Sequence, residues 1–244
     1  MNSTKSTCIS IIIPVYNEQN RISKTLTTLT DYLSTQGYLW EILIVDDGSR
    51  DNTINEVNAH LEDSRIKLIN LPHNGKGAAI KQGMLSASGK IRMMCDADMA
   101  MPVNYIADFI SEICDKQHDV VIGSRQISGS KRFNESDFRH LIGRIYNFWV
   151  KLFLISDYLD TQCGFKAFTE HSANQIFSLQ QLEGFGFDVE ILVIARLKAL
   201  KTKELPIEWH HDGESKVNPV LDSIRMFLDT IKIKVGVYTG KYNR

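Results

Sequence analysis

The sequence predicts an α/β domain, a mostly parallel central sheet with helices on both faces. Three observations point to it. Short apolar, β-branched runs alternate with segments of helical periodicity from Cys8 to Gly123. Polar clusters follow four of those runs directly: Tyr16-Asn17-Glu18, Asp46-Asp47-Gly48-Ser49, Asp96-Ala97-Asp98 and Ser124-Arg125. Parallel sheets collect ligands beyond the carboxyl ends of their strands, so these are the places where function is expected. No internal repeat, low-complexity tract or linker divides the 244 residues, so 1–244 reads as one domain.

The elements follow in order. Cys8–Ile13 carries Ile9, Ile11, Ile12 and Ile13, stops at Pro14, and reads as a buried parallel strand. Ile22, Leu26, Leu29 and Leu33 recur at helical spacing within Asn20–Gln36. Strand Trp40–Val45, helix Thr53–Leu61, strand Ile66–Leu71, helix Gly75–Ala87 and strand Ile91–Cys95 come next. Pro102 opens a helix to about Lys116, proline being well placed at a first helical position. Asp119–Gly123 is a strand and Gln126–Asp137 a polar loop. Phe138–Leu154 is helical, with Leu141, Ile145, Phe148, Trp149 and Leu152 on one apolar face. Asp160–Thr169 reads as a strand, and His171–Leu179 and Phe187–Leu200 as helices. Lys203–Trp209 is an edge strand, because Pro206 lacks the amide that a central ladder needs. The last helix, Val217–Val235, puts Val220, Leu221, Ile224, Phe227, Leu228 and Ile231 on one face. That stripe is expected to pack on the core. The alternative is a helix lying in a membrane interface, since Lys216, Arg225, Lys232, Lys234, Lys241 and Arg244 outweigh Asp222 and Asp229.

Composition narrows the classes. A net charge of −1 and a pI near 6.7 argue against a dedicated nucleic-acid binder. Cys8, Cys95, Cys114 and Cys163 show no C-x-x-C pairing, so free thiols in a reducing compartment are expected, with Cys8 and Cys95 in the core. Met1–Thr7 lacks an apolar signal stretch, and no run reaches the roughly 18 apolar residues of a spanning helix. Tyr146–Ile155 is the longest candidate and contains Lys151. The expectation is a cytoplasmic protein, soluble or peripheral at the cytoplasmic face of a membrane.

Asp96 and Asp98 place two carboxylates two residues apart at a strand end. Such a pair suits Mg2+ or Mn2+, hard ions that take oxygen ligands and share them with substrate phosphates. Taken alone, a D-x-D is as often a pair of solvated loop aspartates. Asp46 offers a carboxylate to a base edge, while Asp51 or Asn52 caps the helix that follows. His73-Asn74-Gly75-Lys76-Gly77 enters a helix whose start favours anions. It has neither Walker A spacing nor a dinucleotide fingerprint. Arg125, Lys131, Arg132, Arg139, His140 and Arg144 form a basic cluster matched to phosphate, or else a solvated basic face.

In order along the chain stand Pro14-Val-Tyr-Asn-Glu18, Asp46-Asp-Gly-Ser49, Asn74-Gly-Lys-Gly77, Asp96-Ala-Asp98 and Gly123-Ser-Arg125. Together they resemble the inverting glycosyltransferase family 2, with its GT-A fold. Asp160-Thr-Gln-Cys-Gly-Phe-Lys-Ala-Phe168, Phe187-Asp-Val-Glu-Ile-Leu192 and Asp212-Gly-Glu-Ser-Lys216 are similar to its dolichyl-phosphate β-glucosyltransferase branch and, more distantly, to dolichyl-phosphate mannose synthases. The resemblance implies a nucleotide-sugar half at about 8–100, an acceptor half at about 101–216 and an amphipathic helix at 217–235. By it, Pro14, Tyr16, Glu18, Asp46, Asp47, Lys76 and Asp96 line the nucleotide-sugar site, and Asp96 and Asp98 hold the metal. Arg125, Arg139, Arg144, Lys166, Ser215 and Lys216 take the acceptor phosphate. The catalytic set is Asp98, Asp188, Arg125 and Arg144.

Mannose synthases commonly carry glutamine two positions after the second aspartate, where this chain has Ala100. UDP-glucose is therefore the favoured donor and a polyprenyl phosphate the acceptor. A phosphate monoester, with a second pKa near ~6, is already a competent nucleophile at neutral pH. Asp188 and Glu190 lie where relatives with hydroxyl acceptors keep a base; here the weightier role of Asp188 is to position Arg or Lys side chains. The competing readings are a GDP-mannose-dependent enzyme, a sugar-nucleotide pyrophosphorylase and a non-catalytic binder. The second lacks its glycine-rich loop after the first strand, and the intact Asp46, Asp96 and Asp98 oppose the third.

Overall fold

The structure, a computed structural model, describes residues 8–134, 137–210 and 221–243, apart from the side chains of 137–140 and 221. Strands β1 (Cys8–Val15), β2 (Leu39–Asp46), β3 (Ile66–Asn70) and β4 (Ile91–Met94) alternate with α1 (Ile22–Thr35), α2 (Thr53–Asn58) and α3 (Lys76–Ser86). Then come α4 (Tyr105–Cys114), β5 (Val120–Ser124), β6 (Lys131–Phe133), α5 (Asp137–Phe153), β7 (Lys166–Thr169), α6 (Glu170–Leu179) and α7 (Phe187–Leu197). The series closes with β8 (Thr202–Pro206), β9 (Glu208–His210) and α8 (Leu221–Tyr238).

Seven strands form the main sheet in the order β3-β2-β1-β4-β7-β5-β8. The pairings are parallel except the two that β7 makes, with β4 and with β5. From β1 the chain steps outward through β2 and β3, then crosses to β4 on the other side of β1. That reversal opens a crevice between the carboxyl ends of β1 and β4, the expected place for a ligand.

The β-branched run of β1 is explained by two faces that are both covered. Ile9, Ile11 and Ile13 join one core with Ile22, Leu26, Leu29 and Leu33 of α1 and Phe109, Ile110 and Ile113 of α4. Ile12 joins the other with Ile80 and Met84 of α3, Phe177 of α6 and Ile191 of α7. Ser10 shares that second face but donates a 2.6 Å hydrogen bond to buried Glu41. Burial works to raise the Glu41 pKa, yet Lys67, Ser10 and Ser88 outweigh it and hold the carboxyl at about 2.

Several elements depart from the sequence reading. The polar stretch Gln126–Asp137 contains β6, which pairs with β9 in a small parallel sheet, Phe133 stacking on His210 at 4.5 Å. The expected edge strand Lys203–Trp209 divides at Pro206 into β8, on the edge of the main sheet, and β9 on the small one. Only Lys166–Thr169 of the expected strand Asp160–Thr169 is extended, because the Asp160 carboxylate accepts the Gln162 amide and turns the chain. The helix expected from Pro102 starts at Tyr105, after a turn closed by the Tyr105 amide on the Pro102 carbonyl. All four cysteines are free; Cys95 is buried, but Cys8 is only half-buried.

The largest departure concerns the two outer helices. Leu141, Ile145, Phe148 and Leu152 of α5 are 54–68% exposed, and the residues turned to the core are Tyr146 and Val150. On α8, Ile224, Leu228 and Ile231 are each 54% exposed, whereas Met226 and Ile233 are buried. Of the stripe expected to pack on the core, Phe227 does so, while Ile224, Leu228 and Ile231 face away; Val220 and Leu221 lie outside the described side chains. Among the described residues no helix is long and apolar enough to cross a membrane.

Candidate active site

Loops after β1, β2 and β4 meet at the crevice. The first two are stitched together: the Asn17 amide donates to Ser49 Oγ at 2.9 Å and the Arg50 amide to Asn17 Oδ1 at 2.7 Å. The Glu18 amide donates to Thr53 Oγ1 at 2.7 Å and the Asn52 amide to Gln19 Oε1 at 2.8 Å. Pro14 lies half-buried near the end of β1, and Tyr16 just beyond it stacks on His73 at 4.2 Å. Glu18 is bound by Arg21 at 2.7 Å.

The acids after β2 are turned inward. Asp46, 1% exposed, accepts the Gly48 and Ser49 amides, and Asp47, 3% exposed, accepts those of Asn74 and Gly75 at 2.8 and 3.0 Å. These carboxylates hold backbone in this conformation. Asp51, not Asn52, serves the start of α2, accepting the Thr53 amide at 3.0 Å.

The glycines at the start of α3 serve packing. At Gly75 (φ 120°) a Cβ would come within 2.6 Å of the Glu183 carbonyl, and at Gly77 within 2.6 Å of the Leu182 carbonyl. The Ala78 amide donates to Glu183 O at 3.1 Å, and Gln180 Nε2 reaches Gly77 O at 2.9 Å. A strap of residues 180–183 thus seats the helix start, where backbone amides had been expected to face a ligand. Glu190 of α7 secures the strap by accepting the Gln181 and Leu182 amides and the Tyr242 hydroxyl, the last at 2.8 Å.

Lys76, the first residue of α3, reaches Asp96 Oδ1 at 2.6 Å. Asp98 sits in the same turn, its Oδ1 accepting the Ala100 amide at 3.1 Å, and Met99 there has a φ of 46°. Burial and the neighbouring Asp96 push the Asp98 carboxyl up to about 6. Burial opposes the charge on Lys76, but Asp96 and Asp188 raise its pKa above the ordinary lysine value. Asp188, at the start of α7, is ion-paired with Lys166, whose ammonium also donates to Cys163 O at 2.7 Å. Burial raises the Asp188 pKa and Lys166 opposes it. Three carboxylates and two ammonium groups therefore share one cluster, in which Lys166 and Asp188 are buried and Lys76, Asp96 and Asp98 half-buried.

The pair fits a divalent ion. Asp98 is a half-buried carboxyl beside a second acid, the environment that a dication relieves. Among the described residues no group of three or more His, Cys, Asp or Glu could hold a metal. Asp96 and Asp98 are the residues that would hold such an ion. Ala100 is 1% exposed and adds no ligand. Gly164 lies directly against Asp96: a Cβ there would come within 1.9 Å of Oδ2.

The cationic residues separate. Arg125 is gripped by Asp160, Nε to Oδ2 at 2.7 Å and Nη2 to Oδ1 at 2.9 Å, and its guanidinium lies 4.9 Å from the Trp209 ring centre. Burial would raise the Asp160 carboxyl, yet Arg125 and the backbone amides hold it at about 2. Lys166 is fully buried against Asp188. Arg144 is exposed on α5. Arg139 lies in α5 with its side chain outside the described residues, as do Ser215 and Lys216 altogether. Sequence reasoning missed Gly164 and the 180–183 strap, and it placed Glu190 beside Asp188 in the base-supplying segment without its structural partners. Asp160 and Gly164 stood inside a quoted motif, which was the available signal.

Comparison with known proteins agrees with this geometry. Residues 10–177 match the family described as Glycosyl transferase family 2. The dolichyl-phosphate beta-glucosyltransferase of Saccharomyces cerevisiae is 36% identical over 96% of this chain and 76% of its own length. The human protein of that name is 29% identical over 96% of this chain and 77% of its own length. Glucosyl-3-phosphoglycerate synthase from Mycobacterium tuberculosis, solved with Mn2+, UDP-glucose and phosphoglyceric acid, shares the fold. Its TM-score is 0.67 at 16% identity, covering 94% of this chain and 79% of that one. A mostly parallel sheet, a carboxylate pair beyond β4 and a family match across more than half of its residues make this chain a GT-A-fold member of glycosyl transferase family 2.

Proposed function

We propose that the protein transfers glucose from UDP-glucose to a dolichyl-type polyprenyl phosphate, with inversion, at the periphery of a membrane. The observation that carries this reading is the Asp96–Asp98 pair, with Lys76 beside it, at the strand-order reversal. The relatives named for glucosyl transfer to dolichyl phosphate support the choice of sugar and acceptor. The loops after β1 and β2 form the floor for the nucleotide, with the Tyr16–His73 stack at one side. Asp96 and Asp98 would hold Mg2+ or Mn2+ together with the diphosphate. A divalent ion bound there supplies charge neutralisation for the departing diphosphate. Lys76 adds a fixed positive charge next to the same oxygens.

A phosphate oxygen of the acceptor attacks the anomeric carbon from the side opposite the diphosphate. The new C–O bond forms as the bond to the diphosphate breaks, and UDP carries away the electron pair. A dianionic acceptor has no proton to lose, so no general base is required. Asp188 therefore acts as a positioning residue, through Lys166 and Lys76. Arg139, Arg144, Ser215 and Lys216 are the proposed acceptor-phosphate contacts, and Arg125, clamped by Asp160, braces that side of the site.

Two outcomes test the reading. In thermal melts with Mn2+, UDP at ~100 times its Kd stabilises the fold by about 2.7 kcal/mol. That is roughly 5–10 °C for a chain of this size, whereas GDP gives a much smaller shift. A GDP shift equal to or above that of UDP overturns the donor assignment. Gly164→Ala, which displaces the Asp96 carboxylate, lowers kcat/KM by about 10²-fold, as an ångström of misplacement does. Its melting temperature stays close to that of the parent. Mass spectrometry of lipid products from mixed nucleotide sugars identifies the sugar moved.

A further inference from the structure

We propose that Arg21 is a positioning residue for donor binding, holding the carboxylate turn after β4 against the loop after β1. The proposal deepens the donor reading and rests on it.

Arg21 stands at the entry to α1. The Glu18 carbonyl accepts the Arg21 and Ile22 amides, both at 3.0 Å, and closes the backbone there. The Glu18 carboxylate does the same for the side chain: its Oε2 accepts Arg21 Nε at 2.8 Å and Nη2 at 2.7 Å. Both side chains are shielded, Arg21 being 14% exposed and Glu18 12%. A charge-assisted pair out of the solvent keeps its geometry, whereas an exposed one is screened and mobile. Ile22, Leu26, Leu29 and Leu33 already fasten α1 to the sheet, so the ion pair is not needed to hold the helix.

The next turn of the helix shows what the guanidinium faces. The Thr25 amide donates to the Arg21 carbonyl at 3.0 Å, so residues 21 and 25 share one face of α1. Thr25, 4% exposed, donates through Oγ1 to the Ala97 carbonyl at 2.6 Å, directly before Asp98. Ala97 itself packs in the same core as α1. This face of the helix therefore lies along the carboxylate turn, with Arg21 toward Asp98. The electrostatics agree: burial and Asp96 push the Asp98 carboxyl up, while the Ala100 amide, Lys76 and Arg21 pull it back.

The turn is one that needs support. Met99 within it has a φ of 46°, a conformation that costs a residue other than glycine energy. The Met99 amide closes on the Asp96 carbonyl at 3.2 Å, and the His210 amide of β9 donates to the Ala100 carbonyl at 2.8 Å. Two cations then flank the acids from opposite layers of the fold. Lys76 comes from α3, on one side of the sheet, and bonds Asp96; Arg21 comes from α1, on the other side, and stands by Asp98. The two carboxylates repel each other and the donor's diphosphate. A fixed cation on each side opposes both repulsions. Support of this kind acts alike on bound donor and on transition state, so its loss appears in KM rather than in kcat.

The test joins steady-state kinetics, with UDP-glucose and a short prenyl phosphate, to calorimetric titration of UDP in Mn2+. Arg21→Gln keeps an amide donor for Glu18 and loses the charge. It is expected to raise KM for UDP-glucose and Kd for UDP by about tenfold, with kcat and the acceptor KM within about threefold of the parent. Arg21→Lys, which keeps the charge, recovers part of the loss. Thr25→Val removes a hydrogen bond from the same turn without touching a charge, and its Kd for UDP stays within about threefold of the parent. Parent-like KM and Kd in Arg21→Gln overturn the proposal. So does a Thr25→Val loss equal to that of Arg21→Gln, which traces the effect to a slack turn, and so does an Arg21→Gln defect confined to kcat. A parent that takes up no UDP in Mn2+ overturns the donor reading as well, which tells the two failures apart.

Discussion

Asp98→Asn lowers kcat/KM for glucose transfer by about 10³-fold or more, while the melting temperature of the free protein holds or rises. Asparagine keeps the size of the side chain and the oxygen that accepts the Ala100 amide. What is lost is one of two negative charges facing the donor's diphosphate, and single groups that stabilise charge in the transition state are each worth about 10²–10³ in rate. On the proposed reading, in which Asp96 and Asp98 would hold the ion, the loss of one carboxylate places the effect at the upper end. Stability moves the other way, because Asp98 is ionised against burial and against Asp96, both of which push its carboxyl up to about 6. Removing that charge relieves a repulsion. The measurement pairs initial rates with melts, and adds UDP melts with Mn2+, in which the stabilisation seen for the parent should vanish. Parent-like turnover by the asparagine variant would show that the carboxylate pair is not the centre of the reaction.

Asp188→Asn has its main effect on the fold. The carboxylate is ion-paired with Lys166, which is fully buried, and removing one partner of a buried pair costs about 3–5 kcal/mol. For a chain of this length that is a fall of roughly 6–20 °C in melting temperature. Lys166→Met alone falls by a similar amount, and Lys166→Met/Asp188→Leu recovers much of it, because no buried charge is stranded. Rates measured below the lowered melting temperatures then separate the roles. A positioning role leaves Asp188→Asn, which keeps Lys166, with substantial turnover. Complete inactivity of Asp188→Asn while it is folded would make Asp188 a base.

Much of this architecture was legible in the residues. The alternation of Ile9, Ile11 and Ile13 with Ile12, and the 3–4 spacing of Ile22, Leu26, Leu29 and Leu33, are direct signatures of a strand covered on both faces and of its helix. Asp96 and Asp98 were visible because a short carboxylate motif follows a strand. The outer helices were misread for a physical reason: periodicity reports that a face is apolar, not what the face meets. Tyr146 and Val150 suffice to bind α5 to the core, which frees the richer stripe to point outward. That the Asp46 and Asp47 carboxylates also accept backbone amides of the turns beside them was not legible, because those contacts depend on how the loops fold. Gly164 was hidden because its significance is a distance to a residue 68 positions earlier, Asp96, and no local pattern encodes that contact. β6 was hidden because its partner β9 lies far along the chain.

The grip of Glu190 on Tyr242 gives the last turn of the chain an importance that its position near the carboxyl end conceals. The tyrosine ring lies over Gly236, where a Cβ would come within 2.8 Å of it, so the tail is clamped on both sides. Trimming the protein before residue 242 would leave a buried acid short of a donor and slacken the segment that seats Lys76. A tag joined after Arg244, by contrast, leaves that clasp closed.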